Sequence, residues 1–208
     1  MGKSVSTLTA ALDLIQSFAV HKVLVVAPLR VANSVWAQEA QKWSHLNALR
    51  VSVCTGPSKK RLGALYIDAD IYVINRENVE WLVEQYGTRW PFDMVVIDES
   101  SSFKSASSKR FRALRKTLPY TTHMVLLTGT PSPNGLIDLW AQVYLIDFGK
   151  SLGRTMTAYK QRFFEQDYMG YNFAPRPGSE KLIHDLIGSF TIHMSADDYL
   201  DLPRRIDV

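Results

Sequence analysis

The sequence predicts an α/β fold built on a mostly parallel sheet with helices on both faces. Three observations carry this. Short apolar runs recur without polar alternation: KVLVVA at 22–27, IYVI at 71–74, MVVI at 94–97 and MVLL at 124–127. Strands buried on both faces read this way. Segments of helical spacing separate the runs, as in a repeated strand–helix unit. Polar residues suited to chemistry directly follow several runs, and ligands of parallel sheets bind outside the carboxyl ends of the strands. At 208 residues and 46% hydrophobic, the chain has material for a proper core.

Taken in order, Leu8, Ala11, Leu12 and Ile15 repeat at helical spacing behind Gly2-Lys3-Ser4, predicting a helix that opens on that triplet. The first strand, 22–27, stops at Pro28. Val31, Val35, Ala40 and Trp43 mark the next helix. Residues 50–54 alternate and end on the turn Thr55-Gly56-Pro57, which predicts a second strand. Residues 71–74 give a third strand and 78–86 a helix. Residues 94–97 give a fourth strand. Phe111, Leu114 and Leu118 mark an amphipathic helix. Residues 124–127 give a fifth strand and 136–146 another helix. Beyond residue 147 the pattern weakens. Helices are expected at 157–164 and 180–187, a loop at 168–178 and a short strand at 190–193. This tail, 147–208, is expected to extend the domain formed by 1–146. Its aromatic residues Tyr159, Phe163, Phe164, Tyr168, Tyr171 and Phe173 read as core packing rather than as a base-stacking surface.

Composition excludes several classes. A single cysteine, Cys54, rules out an internal disulfide and any multi-cysteine zinc site. It favours a cytoplasmic setting, or host-cell cytoplasm for a viral chain. Cys54 lies in a predicted strand and reads as a small apolar filler. The five histidines are far apart and show no metal-ligand spacing. No apolar run is long enough for a membrane helix, so no membrane partner is expected. The loose match of the first six residues to an N-myristoylation pattern has no other support. The net charge is +4. The excess concentrates between Glu99 and Asp138, a stretch with no acidic residue that carries Lys104, Lys109, Arg110, Arg112, Arg115 and Lys116. A solvated helix face explains that stretch, and so does a surface near nucleic-acid phosphates.

Three segments carry the chemistry. Gly2-Lys3-Ser4 at a helix start reads either as an ordinary polar start of a chain or as the back half of a phosphate-binding loop. Free backbone N–H groups and the positive dipole end face the phosphates there. The lysine reaches the terminal phosphates and the serine hydroxyl reaches Mg²⁺. Asp98-Glu99 closes the fourth strand. The aspartate suits a metal held through water, and the glutamate suits orienting or deprotonating an attacking water. Thr128-Gly129-Thr130-Pro131 closes the fifth strand with two hydroxyls flanking a glycine; by itself it reads as a polar turn with Pro stopping the strand, or as compact groups able to link neighbouring sites.

In that order the segments resemble the DExx-box helicase-like ATPases of superfamily 2, most closely the Swi/Snf-like branch. Val26-Ala27-Pro28-Leu29 with Trp36, Glu39 and Trp43 resembles that branch's motif Ia and the helix after it. Ile74-Asn75-Arg76-Glu77-Asn78 resembles its next segment. Asp98 to Lys104 (DESSSFK) is similar to the DEAH-x-x-K motif II. Leu126 to Pro131, with Asn134, Leu136, Leu139 and Trp140, resembles motif III and its helix. Residues 198–203 (DYLDLP) are similar to the segment closing the first lobe.

The resemblance implies a RecA-like three-layer α/β/α lobe of the P-loop NTPase type, using ATP and Mg²⁺ and facing duplex DNA without sequence preference. Gly2, Lys3, Ser4 and Asp98 would bind nucleotide, with Ser4 and Asp98 holding Mg²⁺. Glu99 would be catalytic. Thr128, Gly129 and Thr130 would couple nucleotide state to DNA contact. Pro28, Leu29, Arg30, Asn75, Arg76 and Lys104 would lie on the nucleic-acid side. Two departures stand out within the motifs. Ser100 and Ser101 replace a small residue and a histidine of motif II, and the front of the P-loop is not present. A second RecA-like lobe, in cis or in trans, would supply an arginine finger worth about a thousandfold or more. The expectation is therefore a fragment or half-motor that hydrolyses ATP poorly alone. The alternative is a non-catalytic RecA-like module that binds DNA or protein. An unrelated P-loop kinase or transport ATPase fits less well, because it explains neither the Thr-Gly-Thr-Pro strand end nor Trp36 and Trp43.

Overall fold

Five strands lie side by side and all run parallel: β1 (Val23–Ala27), β2 (Val51–Val53), β3 (Ile71–Asn75), β4 (Met94–Asp98) and β5 (His123–Leu127), in the order β2-β3-β1-β4-β5. The computed structural model describes residues 2–130, 132, 135–166 and 173–193. Helices α1 (Lys3–Gln16), α2 (Leu29–Lys42), α3 (Ser58–Leu65), α4 (Val79–Tyr86), α5 (Lys109–Arg115) and α6 (Leu139–Asp147) surround the sheet.

Side-chain alternation divides each strand between two cores. Val23, Val25 and Ala27 of β1 face Leu8, Ala11 and Leu12 of α1, with Ala32, Trp36 and Ala40 of α2. Leu24 and Val26, with Tyr72, Ile74, Val95 and Ile97, face α4, α5 and α6 on the other side. The result is three layers, α/β/α. A one-residue slip of β1 would exchange the two cores, so register is tightly specified. Cys54 is buried among apolar neighbours, and burial pushes its thiol up to about 11. That is the filler its position suggested. No helix among the described residues is long and apolar enough to cross a membrane.

Several elements differ from the sequence reading. The buried stripe of α2 is Ala32, Trp36 and Ala40, whereas Val35 and Trp43 lie at the surface. The two alanines let the helix approach the sheet and leave room for the indole between them. Helix α5 ends at Arg115, and Leu118 is buried from a separate 3-10 turn, Leu118–Tyr120. Helix α3 was not expected. Only Ala64 of it is buried, and Gly63 lies inside it, so it carries almost no periodic signal.

The tail holds α7 (Met156–Phe163), a two-stranded antiparallel hairpin of β6 (Phe164–Gln166) and β7 (Phe173–Pro175), and α8 (Ser179–Ile187). The hairpin replaces part of the expected loop, and the expected strand at 190–193 is absent. A 3-10 turn at Gly188–Phe190 leads into irregular chain there. Leu152, Tyr159, Phe163, Phe164, Ile183 and Ile187 join the apolar cluster of α5 and α6. Trp140 donates its indole N–H to the Gly153 carbonyl at 2.9 Å, and the Tyr159 hydroxyl donates to the Leu136 carbonyl at 2.8 Å. Tyr159, Phe163 and Phe164 are thus core, as the sequence suggested. Tyr168, Tyr171 and residues 198–203 lie outside the described residues.

The entries to β2 and β3 share an ionic clasp. The Arg50 backbone N–H donates to Asp70 Oδ2 at 2.8 Å, its guanidinium reaches Asp70 Oδ1 at 2.7 Å, and Asp68 accepts a further bond. Partial burial raises the Asp70 carboxyl, but the Arg50 side-chain and backbone bonds outweigh it and hold the group below its ordinary value. A depressed native pKa stabilises the fold above the unfolded value, near pH 4, and loses that contribution as pH falls through the native value. Asp70→Asn is therefore expected to cost about 1 kcal/mol at pH 7. In urea titrations across pH, its deficit against wild type should shrink below about pH 4.

Candidate functional site

Because the sheet is parallel, all its carboxyl ends lie along one edge. That edge carries, in sheet order, Asn75 (β3), Pro28-Leu29-Arg30 (after β1), Asp98-Glu99 (β4) and Thr128-Gly129-Thr130 (after β5). Helix α1 ends in the connection to the amino end of β1, so it starts at the carboxyl edge. Its first turn therefore lies on the same edge, and on the α1/α2 face. Val5 of that turn and Leu127 at the end of β5 pack against the same core. Asp98 belongs to the same face by alternation with Met94 and Val96. The strand order reverses between β1 and β4, where parallel sheets open a ligand crevice.

Gly2 caps α1 in the left-handed region, φ 57°, where glycine carries no Cβ penalty. The hydroxyls of Thr7 and Thr9 donate to the helix carbonyls of Lys3 and Val5. The Ser4 hydroxyl and the Lys3 ammonium have no such partner among the described residues. Asp98 is half-buried. Its Oδ1 accepts the Glu99 backbone N–H at 3.1 Å, and its Oδ2 accepts the indole N–H of the fully buried Trp36 at 3.2 Å. Glu99 is exposed and sits at φ 54°, ψ 57°, left-handed for a residue that has a Cβ. Such strain survives only where surrounding structure enforces it, and it clusters at working sites.

These donors fit Mg²⁺ held with phosphates. A hydroxyl and one carboxylate, each with lone pairs to spare, match its habit of keeping waters and phosphate oxygens. No cluster of three or more His, Cys, Asp or Glu side chains offers an all-protein metal cage among the described residues.

Behind Asp98-Glu99 the motif turns inward. The buried Ser100 hydroxyl donates to Gln142 Oε1 at 2.8 Å, and Gln142 Nε2 donates to the Asp138 carbonyl at 3.1 Å. Phe103 is buried in the core. Lys104 Nζ lies 3.4 Å from the Asp138 carboxylate, so its charge is engaged within the fold. These contacts fasten the segment after β4 to α6. Ser100→Ala is expected to cost about 1 kcal/mol in chemical denaturation, the usual net worth of one buried hydrogen bond, here the one to Gln142.

Thr128 Oγ1 accepts the Thr130 N–H at 3.1 Å, forming a small closed turn. Leu127 lies beside Asp98 in the sheet register. Pro131 and Asn134 lie outside the described residues. On the far side of the edge, Leu29 and Arg30 are exposed. Asn75 is buried. Its Nδ2 donates to Glu77 Oε2 at 2.8 Å, and its Oδ1 accepts from Asn78. It therefore braces the loop from inside. Partial burial raises the Glu77 carboxyl, but the bonds from Asn75, the Glu77 backbone N–H and Arg76 bring it below its ordinary value. Arg76 is half-buried and donates to Glu77 at 3.0 Å. Lys109 and Arg110 flank the same surface recess as Arg76 and Glu77.

The carboxyl edge thus carries Pro28 to Arg30, Asn75, Asp98-Glu99 and Thr128 to Thr130, and two residues not singled out from the sequence as site residues bond to it, Trp36 and Gln142. The tip of a buried Trp usually finds a hydrogen-bond partner, as Trp36 does and Trp90 does not among the described residues. That tendency was the available signal for Trp36, but its partner is 62 residues away.

Comparison with known proteins agrees with the geometry. The family model described as SNF2-related domain matches residues 1–198. A protein of the Acyrthosiphon pisum secondary endosymbiont phage 1, "Putative protein p41", is 40% identical over 99% of this chain. The mouse "DNA excision repair protein ERCC-6-like" is 30% identical over 78% of it. The chain spans 47% of the phage protein and 13% of the mouse protein. Among solved structures, the Sulfolobus solfataricus SWI2/SNF2 ATPase core in complex with dsDNA superposes with a TM-score of 0.75 at 24% identity. That match covers 94% of this chain and 38% of the other.

Proposed function

Since the chain belongs to the SNF2-related domain family, we propose that it is the ATP-binding lobe of a motor that moves along duplex DNA. The observation that carries this is the meeting of two features at one sheet edge. Asp98 and Glu99 end β4 there, on the face where α1 begins with a Lys3 ammonium and a Ser4 hydroxyl that have no side-chain partner among the described residues.

In this reading, the Gly2 cap and the first N–H groups of α1 cradle phosphate oxygens, and the Lys3 ammonium neutralises terminal phosphate charge. Ser4 and Asp98 are the residues that would hold Mg²⁺, which when bound offsets charge on the phosphates. Glu99, exposed beside them, accepts a proton from the attacking water. The Thr128–Thr130 turn lies next to Asp98 across the β4–β5 ladder. A change at the end of β4 is therefore felt at the end of β5. Turnover then depends on transition-state charge supplied from a second lobe, so the chain alone should hydrolyse ATP slowly.

DNA phosphates meet the β1 and β3 side of the edge, where Leu29 and Arg30 are exposed and Arg76 lies half-buried against Glu77. Lys104 is held by Asp138, so Arg30 is the more available cation. The test is duplex binding across salt concentrations. Arg30→Ala should weaken binding alike for unrelated sequences and reduce the slope of log K against log salt by about one. A slope that both Arg30→Ala and Arg76→Ala leave unchanged would place DNA elsewhere or nowhere on this lobe.

A further inference from the structure

We propose that Trp36 is a positioning residue for the metal-holding carboxylate: its buried indole N–H fixes the Asp98 side chain in one orientation. The inference rests on the reading of Asp98 as the Mg²⁺ residue.

Trp36 has 0% exposure, and its only polar atom ends 3.2 Å from Asp98 Oδ2. Stranding a buried donor costs free energy; Trp90 Nε1 is buried without a partner among the described residues, whereas Trp36 Nε1 has Asp98. Ala32 and Ala40, one turn either side, are also buried and hold the helix close to the sheet. The ring therefore has little freedom to carry its donor away. Asp98 Oδ1 is fixed in turn by the Glu99 N–H. With one donor on each oxygen the carboxylate plane is set, and each oxygen retains a further lone pair. Both donors are neutral. A lysine or arginine in place of the indole would orient Asp98 equally well, but would cancel the charge a cation needs. No cation pairs with Asp98 among the described residues. The bond also spans the point where strand order reverses, joining the β1–α2 unit to the end of β4. A partner that orients a metal-holding side chain without touching the metal is a common arrangement, and its loss typically weakens metal binding tenfold or more, roughly.

The test follows binding of a fluorescent ADP analogue to the full chain as Mg²⁺ is titrated, for wild type, Trp36→Phe and Asp98→Asn. Trp36→Phe should raise the Mg²⁺ midpoint about tenfold while leaving Mg²⁺-free nucleotide affinity unchanged. Combined with Asp98→Asn it should add nothing to Asp98→Asn alone. A merely structural tryptophan would move both affinities or neither. A Mg²⁺ midpoint within about twofold of wild type overturns this inference alone. Wild type that shows no Mg²⁺-dependent binding overturns the nucleotide reading and this inference with it. Should Trp36→Phe fail to fold, ¹⁵N spectra of wild type decide. The Trp36 indole resonance should shift as Mg²⁺ and ADP bind, and a resonance that stays still contradicts the proposal.

Discussion

Glu99→Gln should leave nucleotide binding intact and lower ATP turnover by about 10²–10⁴-fold, the usual worth of a positioned general base. The assay needs this lobe together with a second RecA-like lobe, in cis or in trans, and duplex DNA. Glutamine keeps the shape of the side chain and one acceptor oxygen, and removes its charge and basicity. The backbone makes a second, opposite prediction. Glu99 occupies φ 54°, ψ 57°, a conformation that costs a residue with a Cβ about 1–3 kcal/mol. Glu99→Gly should therefore raise the thermal midpoint while also losing turnover, whereas Glu99→Gln should not raise it. If glutamine retains near-wild-type turnover, Glu99 is not the base. If glycine fails to stabilise, the turn is unstrained.

Removing residues 148–208 should leave a chain that does not fold as a stable monomer. Buried Trp140, Tyr144 and Leu145 of α6 share one cluster with Leu152, Tyr159, Phe163, Ile183 and Ile187 of the tail. Truncation uncovers that face and deletes the Trp140–Gly153 and Tyr159–Leu136 bonds. Each aromatic or aliphatic side chain so exposed forfeits about 1.5–3 kcal/mol, and native stability is only about 5–15 kcal/mol. Aggregation, or loss of a cooperative thermal transition, is the expected result. A monomeric truncated chain with an unchanged transition would show that the tail is an independent unit.

The sheet was legible because its strands are apolar on both faces, a pattern few other elements produce. KVLVVA, IYVI, MVVI and MVLL all became strands, and the polar residues after them came to one edge because the strands are parallel. The tail was less legible. Strand β7 contains Pro175 and covers three residues, too few to show a period of two. The stretch at 190–193 has β-branched and aromatic residues without a neighbouring strand to pair with among the described residues. Local preference decides little there, since pairing comes from tertiary contacts. In the site, residue types at strand ends were readable, but their partners were not. Asn75 matched an outward-facing motif, yet its side chain braces Glu77 and Asn78 inside the loop. The Ser100–Gln142 and Trp36–Asp98 bonds join positions 42 and 62 residues apart, and only the folded topology brings them together.

In the proposed function, one sheet edge assembles a Mg²⁺–nucleotide site from the start of α1 and the end of β4. Backbone amide spectra of the ¹⁵N-labelled chain, titrated with Mg²⁺ and a non-hydrolysable ATP analogue, test it most directly. Saturable shifts should concentrate at Gly2, Lys3, Ser4, Asp98, Glu99 and Thr128–Thr130, and should disappear in Lys3→Ala and Asp98→Asn. No saturable shift at millimolar analogue, or shifts confined to other parts of the molecule, would contradict the account.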